Sequence, residues 1–239
     1  MKKITSVAAL CLRLTWRSVV GLFILLGAVQ WFAFSTLGAE EFGWRSFEYR
    51  LGNWFSAIGY IGIYLLAGVL FVSLSGSKKS KIAYTLRRLQ IPECGITAVC
   101  ALVIAGYFVT YWAFQLVLVL GCFFHYAAAM EPGHNALFLA AFRATCFHNL
   151  LPLEEPWALA RNIVLAVSIG SGLALGAQNT RNGRPAPLLM TLMTGFFCMV
   201  LMPHQMASAG TDTALSVIAV VCMLIDWIWT WRWMRNEAN

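Results

Sequence analysis

A short basic and aromatic stretch, residues 80–90, is the part of this sequence best suited to binding another protein. Its apolar positions recur at the spacing of one helix face and are Ile82, Leu86 and Leu89. The rest of the stretch carries the polar and aromatic side chains Lys81, Tyr84, Arg87 and Arg88. Because Pro92 stops a helix, the pattern predicts an amphipathic helix whose basic side docks on a partner. The alternative is a solvated loop whose charges only orient the chain in a membrane.

Asp226 is the single acidic residue inside a long apolar stretch of this sequence. A charged carboxylate in lipid is costly unless it is paired or hydrated, and such residues often mark functional sites. Arg232 lies six positions further along the chain, which leaves open the alternative of an acid that reaches the membrane interface. Asp226 is therefore a candidate site residue, and the alternative that it only reaches the membrane interface stays open.

Gly172 and Gly176 stand four positions apart in another apolar stretch. This spacing puts two residues without side chains on one helix face, where a second membrane helix can approach closely. The pattern predicts helix packing.

The residue patterns of most hydrolytic and nucleotide-binding sites are absent from the sequence. It has no G-x-x-x-x-G-K-S/T loop, no H-E-x-x-H and no G-x-S-x-G. Its seven cysteines and four histidines are scattered and lack metal-ligand spacing. We predict that the chain is not an enzyme, has no catalytic residues, and binds no metal or cofactor itself.

The composition is that of an integral membrane protein. Hydrophobic residues make up 60% of the 239 residues, charged residues only 11%, and the mean hydropathy is +0.71. Soluble domains contain about 25% charged residues, so this chain cannot cover a solvated surface. The net charge of +7 would fit a nucleic-acid partner if it formed one exposed face. The Lys and Arg residues instead fall in the segments that orient the chain in a membrane, so we predict no nucleic-acid binding.

Six stretches are long and apolar enough to cross a bilayer as helices. The predicted spans are about 19–37, 54–74, 95–126, 160–178, 187–205 and 213–233. The third exceeds a hydrocarbon core of ~30 Å, so we expect a helix that projects beyond the core or tilts. The prediction is an all-α polytopic membrane protein in which residues 1–239 form a single transmembrane domain.

Most of the 17 Lys and Arg residues fall on one side of this bundle if the N-terminus is cytoplasmic. They lie before the first span, after the second, after the fourth and after the last. Because cytoplasmic segments retain Lys and Arg, both termini are predicted to be cytoplasmic, in a multi-pass protein of the cell membrane.

Two further helices are predicted outside the spans. Residues 1–18 carry Arg13 and Arg17 on a polar face, which is typical of a helix in the cytoplasmic headgroup layer or of a simple polybasic anchor. Residues 135–150 form a helix-like stretch between prolines, with Arg143 in its middle. As a seventh crossing it would move later basic segments outside, so we place it on the outer side, either re-entrant or lying on the surface.

The N-terminal helix, the six crossings, the helix between crossings two and three and the extra outer helix together resemble the permease subunit of the type-2 class of ATP-binding-cassette exporters. The run Tyr84-Thr85-Leu86-Arg87-Arg88-Leu89, followed by Pro92-Glu93, is similar to the cytoplasmic loop of small bacterial members. In that family the N-terminal helix and the loop helix touch a cytoplasmic ATPase and transmit its motion. The resemblance implies that the residues coupling this chain to an ATPase are Lys81, Tyr84, Arg87, Arg88, Arg13 and Arg17. One departure is that family members often place re-entrant helices between crossings five and six, where this sequence has only the short turn 207–212.

The resemblance implies a membrane-spanning permease subunit of an ATP-driven exporter for a hydrophobic, amphipathic or peptide cargo. ATP and Mg would bind to a separate ATPase chain, and a second permease copy or a related permease would complete the transport unit within the lipid bilayer. The rival is an energy-independent membrane protein, such as a secondary carrier or an immunity-type protein. Carriers usually bury several ionisable residues near the midplane, and here only Asp226 qualifies.

Overall fold

The fold consists of long α-helices in the computed structural model, which describes residues 2–36, 47, 49–51, 55–76, 92–128, 150, 156–184 and 209–238. The long helices in these ranges are α1 (Lys2–Thr36), α2 (Ser56–Ser75), α3 (Glu93–Ala128), α4 (Pro156–Arg181) and α5 (Ala209–Ala238). No strand occurs among the described residues. The predicted all-α class is therefore confirmed for that part of the chain.

Four segments in the described part of the chain are long and apolar enough to cross a membrane, namely Ile4–Thr36, Ser56–Ser75, Glu93–Ala128 and Leu159–Arg181. Large apolar side chains are exposed along them, for example Ile24, Val72 and Leu102. Water-soluble monomers rarely expose such extensive apolar surface, whereas lipid solvates it. These helices are those of a membrane protein. The predicted fifth span, 187–205, lies outside the described residues, and the count of six crossings stays a prediction.

The contacts between α1 and α3 show that these two helices run in the same direction. Cys11 meets Cys100 near the start of both helices. Phe34 meets Tyr126 near the end of both. Their lengths correspond to ~50 Å at 1.5 Å per residue, more than a hydrocarbon core requires. The predicted long third helix is therefore a single α-helix.

The helices α2 and α4 run antiparallel to α3. The contacting pairs are Gly59 with Gln115 and Gly62 with Tyr111 for α2, and Gln178 with Thr97 and Gly170 with Ala105 for α4. In both sets, residue numbers rise along α2 or α4 while the numbers of the contacting residues in α3 fall. The first four helices thus alternate in direction, as successive membrane crossings must.

One end of the bundle, here called the basic end, contains the N-termini of α1 and α3 and the C-termini of α2 and α4. Arg181 and Arg184 lie at the end of α4, and the segment 77–91 connects Gly76 after α2 to Pro92 before α3. Arg181 and Arg184 therefore lie at the end of the bundle where α2 ends and α3 starts. That this end faces the cytoplasm stays a prediction from the charge distribution.

The start of the chain differs from the prediction of a separate interfacial helix at 1–18. The helix α1 runs without interruption from Lys2 to Thr36, and no proline breaks it. Val7 and Cys11 are buried in the same hydrophobic cluster as Cys100. Protein contacts at Val7 and Cys11 hold this segment in line with the first span, whereas Ile4 stays exposed.

The most deeply buried helix is α4, whose neighbours are α2, α3 and α5. Its residues 168–179 are buried without exception. Gly170 permits the close approach of α3, because a Cβ atom there would lie 2.6 Å from the Ala101 carbonyl oxygen. Just after the helix ends at Arg181, Gly183 has a φ of 74°, the left-handed conformation typical of a residue that follows a helix. Arg184 N donates to Asn179 O at 2.8 Å across this turn.

The predicted outer helix, 135–150, lies outside the described residues except for Leu150. Leu150 is buried, and Trp112 Nε1 donates to its carbonyl oxygen at 2.6 Å. Trp112 precedes the end of α3 by ~24 Å of helix. Residue 150 therefore lies well inside the bundle, which favours the re-entrant alternative, although the helix itself stays a prediction.

Candidate functional site

A cavity of about 60 Å³ lies between α2, α3 and α4, near Leu150. Most of its lining is apolar and aromatic, including Phe55, Ile63 and Phe108. The polar residues that line it in the described part of the chain are uncharged and are Ser56, Tyr60, Tyr111, Trp112, Gln115 and Asn162. Ligand pockets usually measure at least ~300 Å³, so in this conformation the cavity admits only a small group or part of a larger molecule. Its chemistry suits an uncharged, mainly apolar ligand.

Two buried amides join α1 to α3 beside this cavity. Gln30 Nε2 donates to Gln115 Oε1 at 2.9 Å, and Gln115 Nε2 donates back to Gln30 Oε1 at 3.1 Å. Gln30 Nε2 also lies 3.1 Å from the Phe55 carbonyl oxygen, just before α2. Gly59 leaves room for both amides, since a Cβ atom there would lie 3.2 Å from Gln30 Nε2. The pair fixes the register of three chain segments within the membrane.

Replacing either glutamine by leucine should destabilise the protein more than replacing both. In Gln30→Leu, the Gln115 amide stays buried without its partner, which costs about 1–3 kcal/mol in unfolding free energy. The double variant removes both polar groups and should recover most of that loss, because leucine has a similar volume. The measurement is the unfolding midpoint in detergent of the wild type, both single variants and the double variant. Additive losses in the double variant would contradict a coupled amide pair.

At the basic end, hydrogen bonds join the start of α3 to the end of α4. Gln178 Nε2 and Asn182 Nδ2 donate to Glu93 Oε2 at 3.1 and 3.2 Å. Thr97 Oγ1 lies 2.5 Å from Gln178 Oε1. Because Glu93 is the first residue of α3, a displacement of the preceding segment would act directly on both helices.

The first half of α1 is joined to α3 at two levels. Cys11 Sγ and Cys100 Sγ are 3.1 Å apart, and both are buried free thiols. One turn further along α1, Thr15 Oγ1 lies 2.8 Å from Tyr107 Oη. Residues 1–18, predicted to be a coupling element, thus pack on the first half of α3.

The structure describes two of the six predicted coupling residues. Arg13 and Arg17 are exposed on α1, and the Arg17 guanidinium carbon lies 5.7 Å from the centre of the Trp16 ring. The predicted loop helix lies outside the described residues together with all four of its candidate residues, Lys81, Tyr84, Arg87 and Arg88. Their role stays a prediction.

The predicted intramembrane residues are all buried. Asp226 lies on α5 beside Trp227, whose Nε1 donates to Ser171 Oγ on α4 at 2.6 Å. Gly172 and Gly176 are buried on α4. The glycine for which the structure shows a close helix approach, however, is Gly170, which the four-residue spacing does not single out.

Comparisons of this chain with protein-family models, with curated proteins and with solved structures find no match for any part of it. Its function is therefore inferred from its own residues.

Sequence reasoning did not identify two buried polar features. Arg161 was not singled out, yet only 5% of its surface is exposed, and its Nε and Nη2 both lie 3.2 Å from Asn162 Oδ1. Gln30 and Gln115 were not singled out, although an amide inside an apolar stretch is a signal of interhelical hydrogen bonding. The described residues hold no group of three metal-ligating side chains. Their chemistry is that of an uncharged cavity and of polar contacts between helices.

Proposed function

We propose that this chain is the membrane-spanning permease subunit of an ATP-driven transporter of the ATP-binding-cassette type, with ATP hydrolysis on a separate cytoplasmic chain. The observation that supports the proposal is that α1 starts, α2 ends and α3 starts at the same end of the bundle. The predicted coupling residues Arg13 and Arg17 lie in the first half of α1, and the predicted coupling helix 80–90 belongs to the stretch of sequence between the end of α2 and the start of α3. A cytoplasmic ATPase bound at the basic end would contact both.

The helix α3 supports a mechanical connection from the basic end to the cavity. It contacts α1 through Cys100 and Tyr107, and it contacts α4 through Glu93 and Thr97. The same helix presents Tyr111, Trp112 and Gln115 to the cavity, ~27 Å or more from its start. A helix moves as a rigid element on this scale, so a shift at Glu93 would change the cavity.

The uncharged and largely apolar cavity lining favours a hydrophobic, amphipathic or peptide cargo, as the resemblance implies. Transport units of this architecture pair two membrane subunits, so we infer a second copy of this chain or a related permease. The export direction follows from the family resemblance.

A second candidate is a secondary carrier, which moves its cargo with an ion gradient. The observation in its favour is that both Asp226 and Arg161 are buried in the described part of the bundle. Ionisable groups at such positions line substrate and ion pathways in many carriers.

The proposed function predicts that the chain, purified from its native membrane in mild detergent, retains an ATPase subunit. In liposomes the complex should move an apolar or amphipathic fluorescent probe when ATP is supplied, with ATP hydrolysis stimulated by the permease. Liposomes given an ion gradient without ATP are the control. A stable monomer that retains no ATPase would overturn the proposal, and transport driven by the gradient alone would establish the carrier instead.

A further inference from the structure

One face of α4 carries small and polar side chains at helical spacing, although the helix is buried. These residues are Arg161, Ser168, Gly172, Gly176 and Asn179. Ser168 is 2% exposed and Asn179 is 4% exposed, yet Ser168 Oγ and Asn179 Oδ1 have no hydrogen-bond partner. Buried polar atoms without partners are rare and call for an explanation such as a bound water or ion.

The helix α5 shows the same combination beside α4. Asp226 is 3% exposed and Thr230 is 1% exposed, and they lie four positions apart on one helix face. Thr230 Oγ1 also has no hydrogen-bond partner. No described residue donates a hydrogen bond to the Asp226 carboxylate.

The hydrogen bond from Trp227 to Ser171 fixes the relative height of α5 and α4. Ser168 precedes Ser171 by about one turn, Asp226 is adjacent to Trp227, and Thr230 follows Trp227 by about one turn. One hydroxyl without a partner on each helix thus lies, in height along the helix axes, within about a turn of a buried carboxylate.

The hydroxyls of Ser168 and Thr230 differ from others in this bundle. A buried hydroxyl on a helix normally bonds the carbonyl oxygen four residues earlier, which removes its need for a partner. Here the buried Thr15 bonds Cys11 O and the buried Thr97 bonds Glu93 O, both at 2.9 Å. Ser168 and Thr230 do not, so their hydroxyls remain available to a molecule from outside the chain.

We propose that α4 and α5 line a hydrated polar site in which Asp226, with the hydroxyls of Ser168 and Thr230, receives a positively charged group. The positive group is either a free cation or the cationic part of a cargo, since a carboxylate and hydroxyl oxygens can bind both. This site is independent of the proposed function, because an ATP-driven permease and a carrier could both contain it.

Cysteine labelling in intact membrane vesicles tests the site. The variants Ser168→Cys and Thr230→Cys are treated with a membrane-impermeant cationic methanethiosulfonate reagent, and labelled peptides are quantified by mass spectrometry. Ala177→Cys is the matched control, because Ala177 is equally buried on α4 but belongs to the apolar cluster. The native buried Cys100 and Cys122 are controls within each molecule. We expect the two new cysteines to react about tenfold faster than these controls or more, because the site admits water and focuses cations.

The charge preference tests the role of Asp226. With rates normalised to those of a small free thiol, Thr230→Cys should prefer the cationic reagent over its anionic analogue about tenfold. Adding Asp226→Asn should bring the preference close to that of the free thiol while labelling continues. Labelling no faster than at Ala177→Cys would overturn the hydrated site, and labelling without charge preference would overturn the assignment to a cation. The labelling rate is then compared in sodium chloride and in choline chloride at equal ionic strength. Slower labelling in sodium chloride would identify the free cation, and slower labelling in choline chloride would identify a cationic cargo group.

Discussion

Reversing the charges of Arg87 and Arg88 should detach the ATPase and abolish transport while the protein still inserts and folds. Exposed substitutions usually change the unfolding free energy by less than ~0.5 kcal/mol. In an interface, two wrong charges can cost several kcal/mol in binding. The double variant Arg87→Glu/Arg88→Glu should therefore express normally, lose the co-purified ATPase and lose ATP-driven transport in liposomes.

The matched control is Arg232→Glu/Arg235→Glu, which makes the same charge change at the far end of α5, outside the predicted coupling elements. It should keep the ATPase bound. Because Arg87 and Arg88 also help to orient the chain, sidedness must be checked in the same variant by labelling Cys94, which is exposed just after Pro92. A charge-reversed protein that keeps its orientation and still binds and stimulates the ATPase fully would exclude 80–90 as the coupling element.

Replacing Gly170 by valine should prevent α4 from packing on α3 and sharply reduce the stability of the bundle. A Cβ atom at this position would lie 2.6 Å from Ala101 O and 2.9 Å from Ala105 N. Both are backbone atoms, which cannot turn aside as a flexible side chain can. Overpacking of this kind costs about 1–3 kcal/mol, and more where the backbone must move. The measurement is the temperature at which the buried Cys100 and Cys122 become reactive towards a thiol-specific fluorophore in detergent.

Gly106→Val is the matched control, because Gly106 is exposed on α3 and no atom lies within 4 Å of a Cβ built there. Its midpoint should stay close to that of the wild type. An unchanged midpoint in Gly170→Val would show that α3 and α4 are further apart than the structure places them. A midpoint lowered equally in both variants would point to loss of glycine itself and not to a steric overlap.

Much of the fold was predictable from the sequence because a membrane helix satisfies its backbone hydrogen bonds within itself and exposes apolar side chains to lipid. Hydropathy along the chain therefore locates such helices without knowledge of their partners. The predicted spans 54–74, 95–126 and 160–178 correspond to α2, α3 and α4 within a few residues. The first span was predicted, but the continuity of α1 was not, because Val7 and Cys11 are covered by protein contacts that the local pattern cannot distinguish from lipid contacts.

The sequence by itself determined the helical class, the apolar segments and the single acidic residue among them, since each depends only on residue types and local spacing. Only the tertiary structure decided which polar groups meet. Gln30 and Gln115 are 85 positions apart, and their pairing depends on the relative direction and register of α1 and α3. The same applies to Asp226, because its burial depends on the packing of α5 against α4, which no pattern within either helix alone specifies.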